Sequence, residues 1–387
     1  MSELKVNSIK GVGASTAAIS IDNSSGTCTA NITNNLSNRN LIINGAMQIA
    51  QRGTSFTSAA SNTYVADRWL HERSSSAAFT ISQSTDAPVG YKYSIKAEVT
   101  TADTSIGGSE FNQFYYKIEA NDISHLEYGT ANAKTCTLSF WAKHSLTGTY
   151  PLGLQNHNGS RVYPATYTIN NANTWEYKTI TFAGDTGGTW NTSGNSLGLR
   201  FNFCWNLGSS FTGGTAGAWA ATTGFANFAS TAGPDINGTV GNTVQWAGVQ
   251  LEVGSVATDF EHLSYTDTLA KCQRYFYLWK YPARDAIFLF VRNAASTLFY
   301  GPPINLPTVM RAISSVTYVN SGSWKIVNGG SYSITPGALF NSNVTEVSSF
   351  HLYFTWAGSS GSWDLTNIRS NENNYTLLPT IQIDGEL

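Results

Sequence analysis

Charged residues are scarce in this sequence. Only 12% of the 387 residues are Asp, Glu, Lys or Arg, against about 25% in an ordinary soluble protein. The net charge is −2 and no basic run occurs, so the Lys/Arg footprint of a nucleic-acid-binding protein is missing. Aromatic residues reach 13%, whereas disordered chains are poor in them. We therefore expect a folded protein with no nucleic-acid partner and a surface of hydroxyls, amides and rings.

Paired cysteines and long apolar runs are also missing. Four cysteines lie far apart with no CxxC pair: Cys28, Cys136, Cys204 and Cys272. Zinc sites take their ligands in close pairs, and unpaired thiols are typical of a protein made in a reducing cytoplasm. No apolar run approaches the roughly 18 residues of a membrane span, and the N-terminal stretch has no apolar signal segment. We expect no metal, no other cofactor and no membrane insertion.

Helical periodicity is rare, and period-two alternation takes its place. In "LGLRFNFCWNL" (197–207) every second residue from Leu197 is apolar, while Arg200 and Asn202 fall on the opposite face. Such alternation predicts a half-buried strand. Many short strands separated by Gly-rich turns predict an all-β fold of two jelly-roll or β-sandwich domains.

One stretch departs from this pattern. In "TDTLAKCQRYFYLW" Leu269, Cys272 and Phe276 recur at helical spacing, with Thr266 as N-cap and an end before Pro282, which predicts a short helix. Residues 1–39 contain three β-type runs and no aromatic residue, so they cannot bury enough surface to fold alone. The predicted organisation is an extended N-terminal arm (1–39), a jelly roll (40–263), a helical connector (264–281) and a C-terminal β-sandwich (282–387).

The densest group of reactive side chains lies at the predicted joint, in residues 249–276. Glu252 fits a structural hydrogen-bonding role, and a calcium ligand or a catalytic carboxylate stays open as an alternative. Cys272 lies on the apolar face of the predicted helix, where a buried thiol is inert. The sequence has no GxSxG, HExxH or GxxxxGK[ST] motif. We expect a structural joint and no enzyme.

Rings beside turns, and amides near them, are suited to neutral sugars, which bind by ring stacking and by hydrogen bonds to hydroxyls and amides. The alternative for a turn-flanking Trp is a place at the rim of the core. The candidate glycan-binding residues are Trp324, Trp363, Tyr332, Asn341, Asn343, Trp190 and Trp219.

Two long stretches carry a resemblance. "RNLIINGAMQIAQRGTSF…YVADRW" (39–69) and "VQWAGVQLEVGSVATDFEHLSYTDTLAKCQRYFY" (244–277) resemble the opening and closing signatures of a domain in bacteriophage tail-fibre and virion-appendage proteins. The resemblance implies a carbohydrate-binding-module-like jelly roll, a homotrimer, and attachment to the host surface. Within the first signature, Asp67 is expected to pair with Arg52 or Arg68, and Trp69 to lie in the core.

The function expected from residues and resemblance together is a phage virion fibre that binds a host surface polysaccharide without cleaving it. Residues 1–39 are expected to dock to another tail or capsid protein of the virion, and residues 282–387 to form the tip. A structural adaptor or head-decorating appendage with no receptor role is the alternative. A polysaccharide depolymerase tailspike is a weaker one.

Overall fold

The computed structural model describes residues 38–280 without a break, together with residue 386 and the stretches 8–9, 19–21, 28–30, 288–292, 298–312, 315–319, 324–327, 331–333, 336–339, 347–355, 365–370 and 380–384. Near the N-terminus, three strands form an antiparallel sheet: β1 (Ser8–Ile9), β2 (Ile19–Ile21) and β3 (Cys28–Ala30). Each strand lies in one of the three β-type runs of the sequence. Strands this short cannot form a stable core of their own.

Thirteen strands between residues 55 and 253 form two facing sheets. They are β4 (Ser55–Phe56), β5 (Thr63–Tyr64), β6 (Trp69–Arg73), β7 (Ala78–Ser84), β8 (Ser94–Thr101), β9 (Phe111–Glu119), β10 (Cys136–His144), β11 (Gly148–Asn156), β12 (Arg161–Ile169), β13 (Glu176–Phe182), β14 (Leu197–Leu207), β15 (Ala220–Ala221) and β16 (Thr243–Val253). The six-stranded sheet has the order β13-β10-β16-β8-β7-β4, and the seven-stranded sheet the order β15-β12-β11-β14-β9-β6-β5. Neighbouring strands are antiparallel throughout.

The core of the sandwich is aromatic. Trp69 is fully buried and its ring centroid lies 5.5 Å from that of Phe203. The ring centroids of Trp205 and Trp246, which come from opposite sheets, lie 6.0 Å apart. Phe203 and Trp205 come from the apolar face that the alternation in residues 197–207 predicts, because successive side chains of a strand point to opposite sides. The prediction of an all-β fold is confirmed.

The prediction that residues 197–207 form a half-buried strand is wrong. Most of the outer face of β14 is covered: Asn202 and Cys204 are fully buried there, whereas Arg200 is half-buried. The segment between β14 and β16 (208–242), which we call the covering segment, folds back across this sheet. Its Phe228 packs directly on Gly153 of β11. A Cβ on Gly153 would lie 2.6 Å from the Phe228 ring. A covering loop of this kind leaves no trace in the alternation of the strand itself.

The helix, α1 (Tyr265–Gln273), begins and ends earlier than the sequence predicts. Its N-cap is Ser264, whose hydroxyl oxygen accepts a hydrogen bond from the Asp267 N–H at 3.0 Å, so Thr266 is not the cap. Phe276 already belongs to the next strand. That strand pairs with one close to the C-terminus, and the pairing competes successfully with continuation of the helix.

Cys272 is fully buried on α1, and burial raises the pKa of its thiol well above the usual range. Because thiolate is the reactive form, we expect no alkylation of Cys272 in the native protein and full labelling after unfolding. Mass spectrometry after a timed exposure to iodoacetamide measures this. Fast modification of Cys272 in the native state would contradict the structural role.

Residues beyond α1 form two more antiparallel sheets. Their strands are β17 (Phe276–Lys280), β18 (Phe288–Arg292), β19 (Leu298–Met310), β20 (Ser315–Val319), β21 (Trp324–Val327), β22 (Ser331–Ser333), β23 (Pro336–Leu339), β24 (Val347–Thr355), β25 (Leu365–Ser370) and β26 (Thr380–Asp384). One sheet has the order β17-β26-β20 and the other β22-β21-β25-β18-β19-β24-β23. The predicted connector (264–281) thus contains both a helix and a strand of the C-terminal region.

A buried charge cluster lies where the sandwich meets the last residues of the chain. The Arg52 guanidinium lies between two carboxylates: Nη1 is 3.9 Å from Asp67 Oδ1, and Nη2 is 3.0 Å from Asp384 Oδ2. Arg68 forms an ion pair with Glu386. The first long signature of the sequence is therefore held against the C-terminal strand by charges that are scarce elsewhere.

Candidate functional site

Two of the candidate sugar-binding rings are part of the core rim. Trp190 is only 8% exposed, its indole N–H donates to Asp185 at 3.1 Å, and its ring lies 5.4 Å from that of Trp219. Trp219 is half-buried and donates to the Ala183 carbonyl at 2.8 Å. Because their indole nitrogens are bonded and their rings pack around Tyr128, neither is an open platform for a sugar.

The other candidates lie in the C-terminal region. Trp324 belongs to β21 and Tyr332 to β22, and the side chains of both are outside the described residues. Trp363, Asn341 and Asn343 also lie outside them.

The reactive residues of the joint are tied into structure. Glu252 is buried, and its carboxylate accepts hydrogen bonds from the Thr258 N–H at 2.8 Å, the Thr258 hydroxyl at 2.7 Å and the Gln250 amide at 2.9 Å. Glu261 accepts from the Asn40 N–H at 2.9 Å, which closes the loop against the start of the sandwich. In the part of the chain that the structure describes, no group of three or more His, Cys, Asp or Glu could hold a metal ion.

A different surface has the features of a binding site: the outer side of the seven-stranded sheet. Leu199, Phe201 and Phe203 of β14 point into the core, so the alternate residues Arg200 and Asn202 point outward.

Strand register fixes the neighbours of this outward pair. Arg200 lies opposite Lys117 of β9 and Gln155 of β11, and Asn202 lies opposite Tyr115. We call this surface the Arg200 face. It consists of Arg200, Asn202, Gln155, Tyr115, Lys117, Glu72 of β6, and Phe225 from the covering segment.

Two amides beside Arg200 have unused hydrogen-bonding capacity. The Gln155 side-chain oxygen accepts from Arg200 Nε at 2.6 Å and from the Asn202 amide at 3.1 Å. Gln155 Nε2 and Asn202 Oδ1 have no partner among the described residues, although both side chains are fully buried. An unsatisfied buried polar group costs about 1–3 kcal/mol, and native structures contain few of them. A donor and an acceptor thus stand side by side next to the guanidinium.

Two rings flank the Arg200 guanidinium. Its central carbon lies 4.0 Å from the centroid of Phe225 and 5.5 Å from that of Tyr115, within the range of cation–π attraction. Phe225 has a φ of 65°, a left-handed conformation that is unfavourable for a side chain with a Cβ. Strained residues of this kind occur at ligand clamps. The covering segment therefore holds one ring over Arg200 at a conformational cost.

Positive charge is concentrated on this face. Burial, and then the neighbouring Arg200, lowers the pKa of Lys117 to about 8, and burial lowers the pKa of Arg200. Like charges directly opposite each other on neighbouring strands destabilise a sheet. Glu72 accepts a hydrogen bond from the Gln113 amide at 2.8 Å. No carboxylate of the described residues lies within 4.0 Å of Arg200.

The outer side of the six-stranded sheet carries a second candidate surface, built from rings. Trp141 and Tyr177 lie 5.3 Å apart, and Tyr91 lies 5.2 Å from Phe260. Tyr91 rests on Gly248, where a Cβ would lie 2.5 Å from the Tyr91 ring. Tyr177 is 45% exposed. This surface offers stacking area, and the rings pack on one another.

The sequence placed Arg200 and Asn202 on one outer face but did not single them out. The signal was a cation at an outward position of a strand in a charge-poor chain. Tyr115, Gln155 and Phe225 have no local signal, because they reach Arg200 only through strand register and the path of the covering segment.

Comparisons with known proteins leave the family open. No family model matches, and no curated protein matches. The enzymatically active domain of tailspike protein 4 of bacteriophage CBA120 is 14% identical over 51% of this chain, with a TM-score of 0.30, and the match spans 21% of that protein.

Two further structures match over nearly their whole length. A family 4 carbohydrate-binding module is 15% identical over 55% of this chain and 98% of its own, with a TM-score of 0.28. A putative sugar-binding protein from Bacteroides thetaiotaomicron is 12% identical over 56% of this chain and 100% of its own, with a TM-score of 0.30. Likenesses at these scores assign no function, which has to be argued from the site. Among the described residues, no helix has the length and apolar character to cross a membrane.

Proposed function

We propose that this protein is a phage virion fibre that binds a glycan of the host cell surface, and that the glycan binds on the Arg200 face. The observation that carries the proposal is the half-buried guanidinium of Arg200, which two rings flank and Gln155 holds in place. The terminal nitrogens of the half-buried Arg200 make no hydrogen bond among the described residues, so they can donate to the hydroxyl oxygens of a sugar. A ring above them supplies the apolar contact that the C–H face of a sugar needs.

Binding without cleavage is part of the proposal. Glycosidases use two carboxyl groups roughly 5 to 9.5 Å apart. The Arg200 face contains one, Glu72, and it is hydrogen-bonded to Gln113. The chemistry of this face therefore favours recognition over hydrolysis.

Attachment to a virion and trimer formation complete the proposal. Residues 1–39 act as the docking arm, supported by the short strands β1 to β3, whose Ile9 is 53% exposed. Edges of such short strands leave backbone groups for pairing with another chain. Three copies would multiply weak single-site binding through avidity. We place the protein on the assembled particle, after synthesis in the host cytoplasm.

Replacing Phe225 by Gly tests the site. Glycine adopts a φ of 65° without steric cost, so the loop keeps its course while the ring is lost. We expect about three- to tenfold weaker glycan binding, the worth of one ring contact, at an unchanged melting temperature. Binding is measured on a glycan array and on host cells.

Two control variants locate the site if this expectation fails. Tyr177→Ala removes an exposed ring from the six-stranded sheet, and Trp363→Ala removes a candidate ring of the C-terminal region. Loss of binding in one of these, with Phe225→Gly unaffected, would move the site there. If the wild-type protein binds no glycan and no host cell, the structural adaptor is the better description.

A further inference from the structure

We infer that the Arg200 face selects an acidic glycan, with the carboxylate of a uronic acid or similar sugar bound to the Arg200 guanidinium. The inference rests on the proposed glycan-binding function and narrows its ligand class. It departs from the expectation of a neutral sugar that the abundance of rings and amides suggests.

Arg200 lacks the partner that a comparable arginine has on the same sheet. Arg161 of β12 binds Asp185 through two hydrogen bonds, at 2.7 Å from Nε and 2.6 Å from Nη2. Arg200 is equally a half-buried arginine of this sheet. In the described part of the chain its one hydrogen bond runs from Nε to Gln155, and no carboxylate lies within 4.0 Å. An arginine withdrawn from water without a carboxylate is costly, and an anionic ligand removes that cost.

The guanidinium is also oriented for such a ligand. Arg200 Nε donates a hydrogen bond to the Gln155 side-chain oxygen at 2.6 Å. The Phe225 and Tyr115 rings restrict rotation of the guanidinium group. The terminal nitrogens make no hydrogen bond among the described residues, so their N–H groups stay available. A carboxylate binds an arginine through two parallel N–H···O bonds in one plane. A neutral hydroxymethyl group offers one oxygen and cannot use this arrangement fully.

Neighbouring charges add to the attraction. Lys117 stands directly opposite Arg200, so an anion at Arg200 also relieves repulsion between the two cations. Glu72 opposes this, because its charge acts on both Arg200 and Lys117. Its backbone lies opposite Gln113, four residues along β9 from Lys117, which is about 13 Å at the rise of a strand.

Matched glycans test the inference. The full-length protein is applied to an array of oligosaccharide pairs that differ only at C6, with glucuronate against glucose and galacturonate against galactose. We expect binding to carboxylate members at least about tenfold stronger than to their neutral partners, the worth of a charge-assisted pair. Binding should weaken as salt concentration rises.

Variants attribute the preference to Arg200. Arg200→Gln should abolish the difference between pair members, and Arg200→Lys should retain only part of it, because a lysine lacks the planar fork. Lys143→Gln is the matched control: it removes a cation from the outer side of the six-stranded sheet, where Lys143 pairs with Asp86 at 2.8 Å, and it should change nothing.

The outcomes separate the two proposals. Equal binding to both members of each pair, or binding to neutral members only, would overturn the acidic preference and leave glycan binding intact. A preference for acidic members that survives Arg200→Gln would place the anion elsewhere and also overturn the inference. No binding of the wild-type protein to any member, acidic or neutral, would count against the glycan-binding function itself.

Discussion

Replacing Arg68 by Met is expected to destabilise the protein by about 3–5 kcal/mol, the typical result of removing one member of a buried ion pair. The Arg68 side chain is 2% exposed and its partner Glu386 is 5% exposed. The guanidinium carbon also lies 3.5 Å from the centroid of the Tyr275 ring. After the substitution, Glu386 stays buried and keeps only its longer contact with Arg52, at 3.6 Å. Chemical denaturation, followed by tryptophan fluorescence, measures the free energy of unfolding.

The double variant Arg68→Met, Glu386→Leu distinguishes a charge effect from a packing effect. Removing both charges should restore most of the lost stability, since apolar replacements of a buried pair are often neutral. Lys134→Met is the control, because Lys134 and Glu127 form a pair that is 47% and 41% exposed. Such pairs contribute about 0–1 kcal/mol. A loss below about 1 kcal/mol in Arg68→Met would show that this cluster does not hold the C-terminal strand to the sandwich.

The protein is expected to lose stability steeply as the pH falls from 6.5 to 4, because two histidines are buried uncharged. Burial lowers the pKa of His71 to about 4 and that of His144 to about 3. An unfolded histidine takes up a proton near pH 6.5, whereas the folded ones do not. The stability these groups contribute is complete above that pH and is lost as the pH falls. Each of the two histidines therefore lowers the free energy of unfolding by about 3 kcal/mol at pH 4.

Asp67 acts in the opposite direction. Burial, opposed by Arg52, raises the pKa of Asp67 to about 6, so its carboxyl favours the folded state as the pH falls through 6 and its contribution is lost as the pH rises through the same value. The total slope therefore mixes both effects, and a variant is needed to separate them.

His71→Phe isolates one histidine. The His71 ring lies among Phe79, Phe114 and Trp205, so a phenyl ring suits this site. Between pH 6.5 and 4 the variant should lose about 3 kcal/mol less than the wild-type protein. Unfolding free energies across this range measure the difference, and His125→Phe, at an exposed position, should follow the wild-type curve. Parallel curves for His71→Phe and wild type would mean that His71 is charged or solvated in the folded protein.

The proposed glycan binding has two candidate surfaces, one on each sheet of the sandwich. The Arg200 face offers a few hydrogen-bonding groups with fixed directions, whereas the surface around Tyr91 and Tyr177 offers aromatic area for stacking. Directed groups give specificity, because a ligand that leaves them unpaired loses binding energy. This is why the variants at Phe225 and Arg200, rather than those on the other sheet, are expected to change which glycan binds.

Local sequence indicated the all-β fold, the core-facing residues of β14 and the place of α1. Alternation in residues 197–207 identified which residues of β14 face the core, since period-two patterning directly reports the buried side of a strand. Helical spacing around Cys272 located the start of α1 to within two residues, but not its end at Gln273. The scarcity of charge also marked Arg52, Asp67 and Arg68 as structural.

Only the tertiary structure decided what meets what. The neighbours of Arg200 come from β9 and β11, and Gln155 is 45 residues away in sequence. Strand register sets such contacts, and no local pattern records it. The covering segment buried Asn202 and Cys204 on the outer face of β14 but left Arg200 half-buried beside Phe225. The C-terminal Glu386 supplied the partner of Arg68. A pattern along the chain identifies the faces of each strand, but the packing of distant segments determines which face stays open to a ligand.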